Sequence, residues 1–121
     1  MYFGHLYVLI GHDLSATYAA AGFTDSATPA GDNPEDFEAI VWHASTGNKE
    51  GFFAILRPTA TPETVAHEAL HLSHYIMRSR GIKPDLNNDE PHAYLLGWLV
   101  RQMHYALTSK ELVPAATISL P

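Results

Sequence analysis

Ala66-His67-Glu68-Ala69-Leu70-His71 is the stretch around which the chain is organised. It lies in the one long segment that has both a helix start signal and helical periodicity. On an α-helix, residues four apart share a face, so His67 and His71 can each give an imidazole nitrogen to one zinc ion. Glu68, about 100° further around the helix, can reach a water on that ion without binding the metal. The spacing predicts a zinc site with a base beside it; the alternative is a pair of surface histidines with a solvated Glu.

The helix that carries this stretch has clear boundaries. Thr61 is an N-cap residue, Pro62 suits the first helical position, and Glu63 places an acid where the helix dipole is positive. We expect the helix to run to about Arg80, where Gly81 can adopt the left-handed cap conformation. At 100° per residue, an apolar stripe faces one way and a polar cluster the other. The stripe is Val65, Ala69, Leu72 and Ile76, and the cluster is His67, His71, His74 and Arg78.

A second helix is predicted from about Glu90 to Leu107, with an N-cap chosen from residues 87–89. Its core stripe is predicted to be Leu95, Leu96, Leu99, Val100 and Met103, with Glu90, Tyr94, Gly97 and Arg101 on the other face.

Three strands are predicted, at residues 4–11, 38–44 and 52–56, and the last two are expected to form a hairpin. Between the first two strands we expect a short helix that ends at Ala21, followed by an exposed loop over residues 24–36. The tail from Val113 to Pro121 is expected to carry no site. The Phe52–Leu56 strand is a candidate for the rim of the cleft, where it would pair with an extended substrate.

A hydrolytic zinc needs a third protein ligand and an open position for water. The sequence offers His74, His92 and Glu90. His74 lies a further turn down the first helix, where a zinc between His67 and His71 is hard to reach. The connection over residues 81–89 can span up to about 30 Å when extended, so Glu90 can return to the level of the two histidines. Glu90 is therefore the favoured candidate.

These residues resemble the gluzincin pattern of metallopeptidases, in which His-Glu-x-x-His is followed by a helical Glu-x-x-Ala or Glu-x-x-Ser. Here Glu90-Pro91-His92-Ala93 stands in the second position. The stretch from Asn88 to Leu95 is also similar to one in short, uncharacterised bacteriophage proteins. The resemblance covers roughly residues 50–100. It implies zinc held by His67, His71 and Glu90, with Glu68 as general base.

The chain departs from this pattern in a residue that would orient a metal ligand and in its length. Many gluzincins have an Asp four residues after the Glu ligand, and this chain has Tyr94 there. The metzincin pattern needs Gly three residues after the second His, where this chain has His74. Little chain remains to build the carboxyl-terminal lobe that usually supplies an oxyanion donor, and the candidates for that donor are Tyr94, Tyr75 and His74. We take Tyr94 as the catalytic candidate; its alternative role, like that of Tyr75, is packing between the helices.

Composition limits the classes of partner. A chain of 121 residues with 46% hydrophobic and 17% charged residues is typical of a single globular domain, residues 1–121. A net charge of -6, with seven scattered basic residues, argues against nucleic acid as a partner. Without cysteine, a metal must be held by His and carboxylate, and a cytoplasmic setting is expected, in the host cell for a phage protein. No stretch is long enough to span a bilayer.

The sequence thus predicts a small α+β zincin-like domain, with a three-stranded sheet packed on two metal-bearing helices. The predicted function is zinc-dependent hydrolysis of a peptide or protein substrate. The alternative is a catalytically inert, zinc-stabilised binding protein of phage origin that engages a host factor. Retention of Glu68 favours the enzyme, because a structural zinc site has no need of a base.

Overall fold

The computed structural model describes residues 4–11, 38–46, 49–109 and 116–121. Over these ranges the chain forms four strands and two helices, which confirms the predicted α+β class. The predicted short helix up to Ala21 and the predicted loop over residues 24–36 lie outside them. In chain order the elements are β1 (His5–Ile10), β2 (Ala39–Thr46), β3 (Lys49–Leu56), α1 (Pro62–Ser79), α2 (Glu90–Thr108) and β4 (Ala116–Ser119).

The strands form one sheet in the order β2-β3-β1-β4. β2 and β3 are antiparallel with Ala39 opposite Leu56, which confirms the predicted hairpin. β3 is parallel to β1, and β1 is antiparallel to β4. The three predicted strands are confirmed, and β4 is a fourth strand that the sequence did not predict.

The central position of β3 corrects one expectation. Phe52–Leu56 belongs to β3, whose two edges are hydrogen-bonded to β1 and β2. Because no backbone donors or acceptors remain along a strand that is paired on both sides, this segment cannot accept a substrate strand. Within the described residues the edge strands are β2 and β4, each paired on one side only, and β2 is the one that begins beside α1.

Both faces of β3 are buried. Phe52, Ala54 and Leu56 point toward the helices, while Phe53 and Ile55 belong to a second cluster on the opposite face. The alternation follows from the two-residue period of a strand, and burial on both faces explains why the segment is apolar throughout.

The opposite face of the sheet carries a row of stacked aromatic rings. The ring centroids of Tyr7 and Phe53 are 4.9 Å apart, and those of Trp42 and Phe53 are 4.8 Å apart. Glycine at position 51 avoids a steric clash with this row, because a Cβ there would lie 2.7 Å from the Phe53 ring.

α1 begins and ends as its sequence predicts. The Thr61 side chain accepts a hydrogen bond from the Thr64 amide at 3.2 Å, and Pro62 is the first helical residue. At the other end, Gly81 has φ +69°, and the Ile82 amide donates to the Met77 carbonyl oxygen at 2.9 Å. This is the Schellman arrangement, which needs a residue that tolerates positive φ.

The two helices cover one face of the sheet with their predicted stripes. α1 buries Val65, Ala69, Leu72 and Ile76, and α2 buries Leu95, Leu99 and Met103. Leu96 and Val100 are partly buried against the same core. Among the described residues, no helix has the length and apolar character to cross a membrane.

Candidate metal centre

The histidines of α1 face solvent because the opposite face of the helix packs against the hydrophobic core. Val65 and Ala69 are 2% and 0% exposed, while His67 and His71, on the other side of the helix, are exposed. The amphipathic pattern therefore fixes the rotation of α1 and leaves both imidazoles accessible.

The two imidazoles converge on one point. The Nε2 atoms of His67 and His71 are 3.2 Å apart, and the rings meet edge to face with centroids 4.9 Å apart. Two nitrogens bound to one tetrahedral zinc at 2.0–2.1 Å lie about 3.3 Å from each other. The pair thus has the spacing of two zinc ligands; in the metal-free chain the same spacing allows a hydrogen bond from one neutral imidazole to the other.

Glu68 lies next to this pair in a partly buried position. Burial raises the pKa of its carboxyl group above the ordinary 4.5, and the positive charges that His67 and His71 can carry oppose that rise. In the metal-free chain, burial thus favours the protonated form of Glu68. The Glu68 carboxylate therefore lies close enough to both imidazoles for their charges to affect its pKa.

A cleft of about 390 Å³ opens beside His67 and Glu68. Its wall is formed by the first turns of α1 and by the start of β2. The residues that line it are Glu38, Ala39, Thr61, Glu63, Thr64, His67 and Glu68. The cleft joins the candidate metal centre to β2, one of the two edge strands of the described sheet.

The structure does not bring Glu90 together with the histidine pair. In the part of the chain that the structure describes, no group of three or more His, Asp, Glu or Cys side chains is placed so that it could hold a metal. Glu90 is the first residue of α2 and is exposed. Its role as the third ligand stays a prediction.

The residue of α2 that does reach α1 is His92. Its Nε2 atom lies 2.9 Å from the hydroxyl oxygen of Ser73, which is fully buried. Its ring centroid is 5.4 Å from that of His74. Burial lowers the pKa of His74, and the neighbouring charges of His92, His71 and Arg78 lower it further.

Tyr94 and Tyr75 lie in different surroundings. Tyr94 is 76% exposed and lines a separate cleft of about 660 Å³ together with Gly97, Trp98 and Arg101. Tyr75 is partly buried and packs against the hydrophobic core, which is the packing role considered for it. Tyr94 does not line the cleft beside Glu68, so its catalytic role is a prediction without geometric support in this conformation.

Ser73 contacts His92 across the two helices, and no pattern in the sequence indicates this contact. A serine inside a helix normally bonds back to a carbonyl of the preceding turn, and Ser73 does so at 2.7 Å from the Leu70 oxygen. The sequence therefore gave no sign that Ser73 also contacts a histidine of another helix.

The described residues thus define an α+β domain in which one helix carries a histidine pair and an adjoining carboxylate. In comparisons with known proteins, no protein family, no curated protein and no solved structure matched this chain. The likeness to gluzincins consequently rests on the motif residues themselves.

Proposed function

We propose that this chain is a zinc-dependent metallopeptidase in which His67 and His71 hold the metal and Glu68 is the general base. The observation that carries the proposal is the 3.2 Å separation of the two Nε2 atoms, which is the spacing of two ligands of one zinc ion. We retain Glu90 as the third ligand from the sequence pattern. Zinc at this position would supply Lewis-acid activation of a water molecule and of the scissile carbonyl.

Glu68 acts by taking the proton of the attacking water. Its position one residue after His67 keeps its carboxylate near the metal without making it a ligand, and its partial burial raises its proton affinity. A fully solvated carboxylate with the ordinary pKa of 4.5 would be a weaker base at neutral pH.

The substrate is an extended peptide lying in the cleft between β2 and the start of α1. In the described part of the sheet, β2 is bonded on one side only, and the residues at its beginning, Glu38 and Ala39, line the cleft with His67 and Glu68. A peptide that adds to this edge by β-augmentation gains main-chain hydrogen bonds and passes the histidine pair. This replaces Phe52–Leu56 as the substrate-binding strand.

The test is Glu68→Gln in the full chain, purified without a His tag and loaded with zinc. Glutamine preserves size and much of the hydrogen bonding but cannot accept the proton, and loss of a general base typically costs about 10² to 10⁴-fold in rate. We expect cleavage of a peptide library, followed by mass spectrometry, to fall by that factor while zinc affinity stays unchanged. Glu63→Gln is the matched control, because Glu63 is an exposed carboxylate that lines the same cleft.

Two outcomes count against the enzyme. Cleavage at the full rate in Glu68→Gln would identify a contaminating protease. A parent chain that binds zinc but cleaves nothing, and that matches Glu68→Gln in every assay, would support the inert binding protein. The placement of Tyr94 outside the cleft is the observation that favours this second candidate.

A further inference from the structure

The buried hydroxyl of Ser73 determines which nitrogen of His92 carries the proton. Ser73 Oγ lies 2.7 Å from the Leu70 carbonyl oxygen and 2.9 Å from His92 Nε2. A hydroxyl has one proton, and at 2.7 Å from a carbonyl oxygen that proton must be donated there. His92 Nε2 is therefore the donor to Ser73 Oγ, and Nδ1 of the neutral ring keeps its lone pair.

This arrangement is the one that a metal-binding histidine has. A ligating imidazole almost always donates its second ring N–H to an oxygen acceptor, which fixes the tautomer and the ring orientation. Ser73 supplies that acceptor from a site with 0% exposure, so water does not compete for it.

A second imidazole, that of His74, lies beside the His92 ring. The ring centroids of His74 and His92 are 5.4 Å apart, with the planes tilted by 46°. Two imidazoles bound to one tetrahedral ion have centroids about 5 Å apart, given metal–nitrogen distances of 2.0–2.1 Å. The His67 and His71 rings, at 4.9 Å, have a similar spacing.

We propose that His74 and His92 form a second metal-binding position for a transition-metal cation of the Zn²⁺ or Cu²⁺ class, with Ser73 as the positioning residue. His74 belongs to α1 and His92 to the first turn of α2, so a bound ion links the two helices. The position is separate from the proposed peptidase site, whose metal ligands and general base are His67, His71, Glu90 and Glu68. Imidazole nitrogens suit both cations, and Cu²⁺ is expected to bind more tightly than Zn²⁺.

The surroundings of His74 leave room for the remaining ligands. A cleft of about 370 Å³ that is open to solvent is lined in part by His74, Arg78 and Lys83, so water reaches the His74 side of the proposed position. Arg78 and Lys83 oppose a cation, but both are exposed, and solvent and salt screen their charges.

The experiment uses the full chain, without a tag and freed of metal, carrying His67→Ala and His71→Ala to remove the first pair. Titration with Cu²⁺ alone, followed by calorimetry, is expected to show one equivalent bound. Adding either His74→Gln or His92→Gln should abolish this binding. Adding Ser73→Ala should weaken it by about 10 to 100-fold, because the orienting acceptor of His92 is lost.

His104→Gln is the matched control, since His104 is an exposed histidine of the same helix as His92 and should leave the titration unchanged. Circular dichroism of each metal-free variant shows whether it is folded, and the two single glutamine variants check each other. No binding in the His67→Ala, His71→Ala chain would overturn the proposal, as would binding that survives both glutamine substitutions. Either result leaves the Glu68→Gln test of the peptidase untouched.

Discussion

Glu68 and His74 lie on the same helix, but their protonation responds to burial in opposite ways. Burial disfavours the charged form of each, so it raises the pKa of the acid and lowers the pKa of the base. This favours the neutral form of His74, in which one ring nitrogen has a lone pair available. For Glu68 it increases the proton affinity of a carboxylate that sits next to two imidazoles.

His74 makes the stability of the metal-free chain depend on pH. Its pKa in the folded chain lies below the 6.5 that we take for the unfolded chain, so the unfolded state binds a proton first as the solution is acidified. The stability present above pH 6.5 is therefore lost as the pH falls toward and through the lowered pKa.

We expect His74→Gln to remove this part of the pH dependence. Denaturant unfolding in the presence of a chelator, at a series of pH values below 6.5, should show a shallower loss of stability in His74→Gln than in the parent. The raised pKa of Glu68 acts in the opposite direction but is common to both chains, so it cancels in the comparison. Identical pH profiles would show that His74 does not titrate differently in the folded state.

Residues within one helix were predictable from the sequence, and residues that meet across helices were not. The 3.6-residue period alone places His67, His71 and Glu68 together. The contact between Ser73 and His92 depends on how α1 and α2 pack against each other, which no local pattern encodes. For the same reason, the length of the connection and the resemblance favour Glu90 as the third ligand, but the sequence does not show where Glu90 lies relative to the histidine pair.

At the scale of the elements, the strands and helices followed from local signals, while the order of the strands did not. β1, β2, β3, α1 and α2 are bounded by glycine, proline or cap residues that mark their ends. β4 has only four residues, and it forms as a strand because it pairs with β1, which lies more than a hundred residues earlier in the chain. The parallel pairing of β1 with β3, which makes β3 central, likewise depends on contacts between residues far apart in the sequence.

Gly97, inside α2, and Gly81, just after α1, differ in whether the backbone requires glycine. Gly97 lies inside α2, is exposed, and a Cβ there would meet nothing within 4 Å. Gly97→Ala should therefore increase the free energy of unfolding by up to about 1 kcal/mol, the difference in helix propensity. Chemical denaturation measures it through the midpoint at an unchanged slope.

Gly81→Ala is the contrasting control, because its open surroundings match those of Gly97 while its φ of +69° strains any L-residue with a Cβ. We expect Gly81→Ala to be less stable than the parent. A Gly97→Ala chain that is no more stable than the parent would mean that the helix at this point is not regular.

For the molecule as a whole, the sheet and the core determine where the candidate metal centre lies. The sheet buries one face of α1, so the opposite face, with His67 and His71, is held at the surface beside the start of β2. The loop after α1 returns the chain so that the first turn of α2 reaches α1 through His92 and Ser73. The peptidase proposal needs one further feature, a third ligand that completes the zinc site.

The most direct test of the central claim is X-ray diffraction from crystals of the untagged chain grown with Zn²⁺, with data collected on both sides of the zinc absorption edge. We predict an anomalous peak between the Nε2 atoms of His67 and His71, each about 2.0–2.1 Å from the metal, with the Glu90 carboxylate as the third protein ligand. A map with no peak between these two histidines, from crystals whose solution holds saturating zinc, would contradict it.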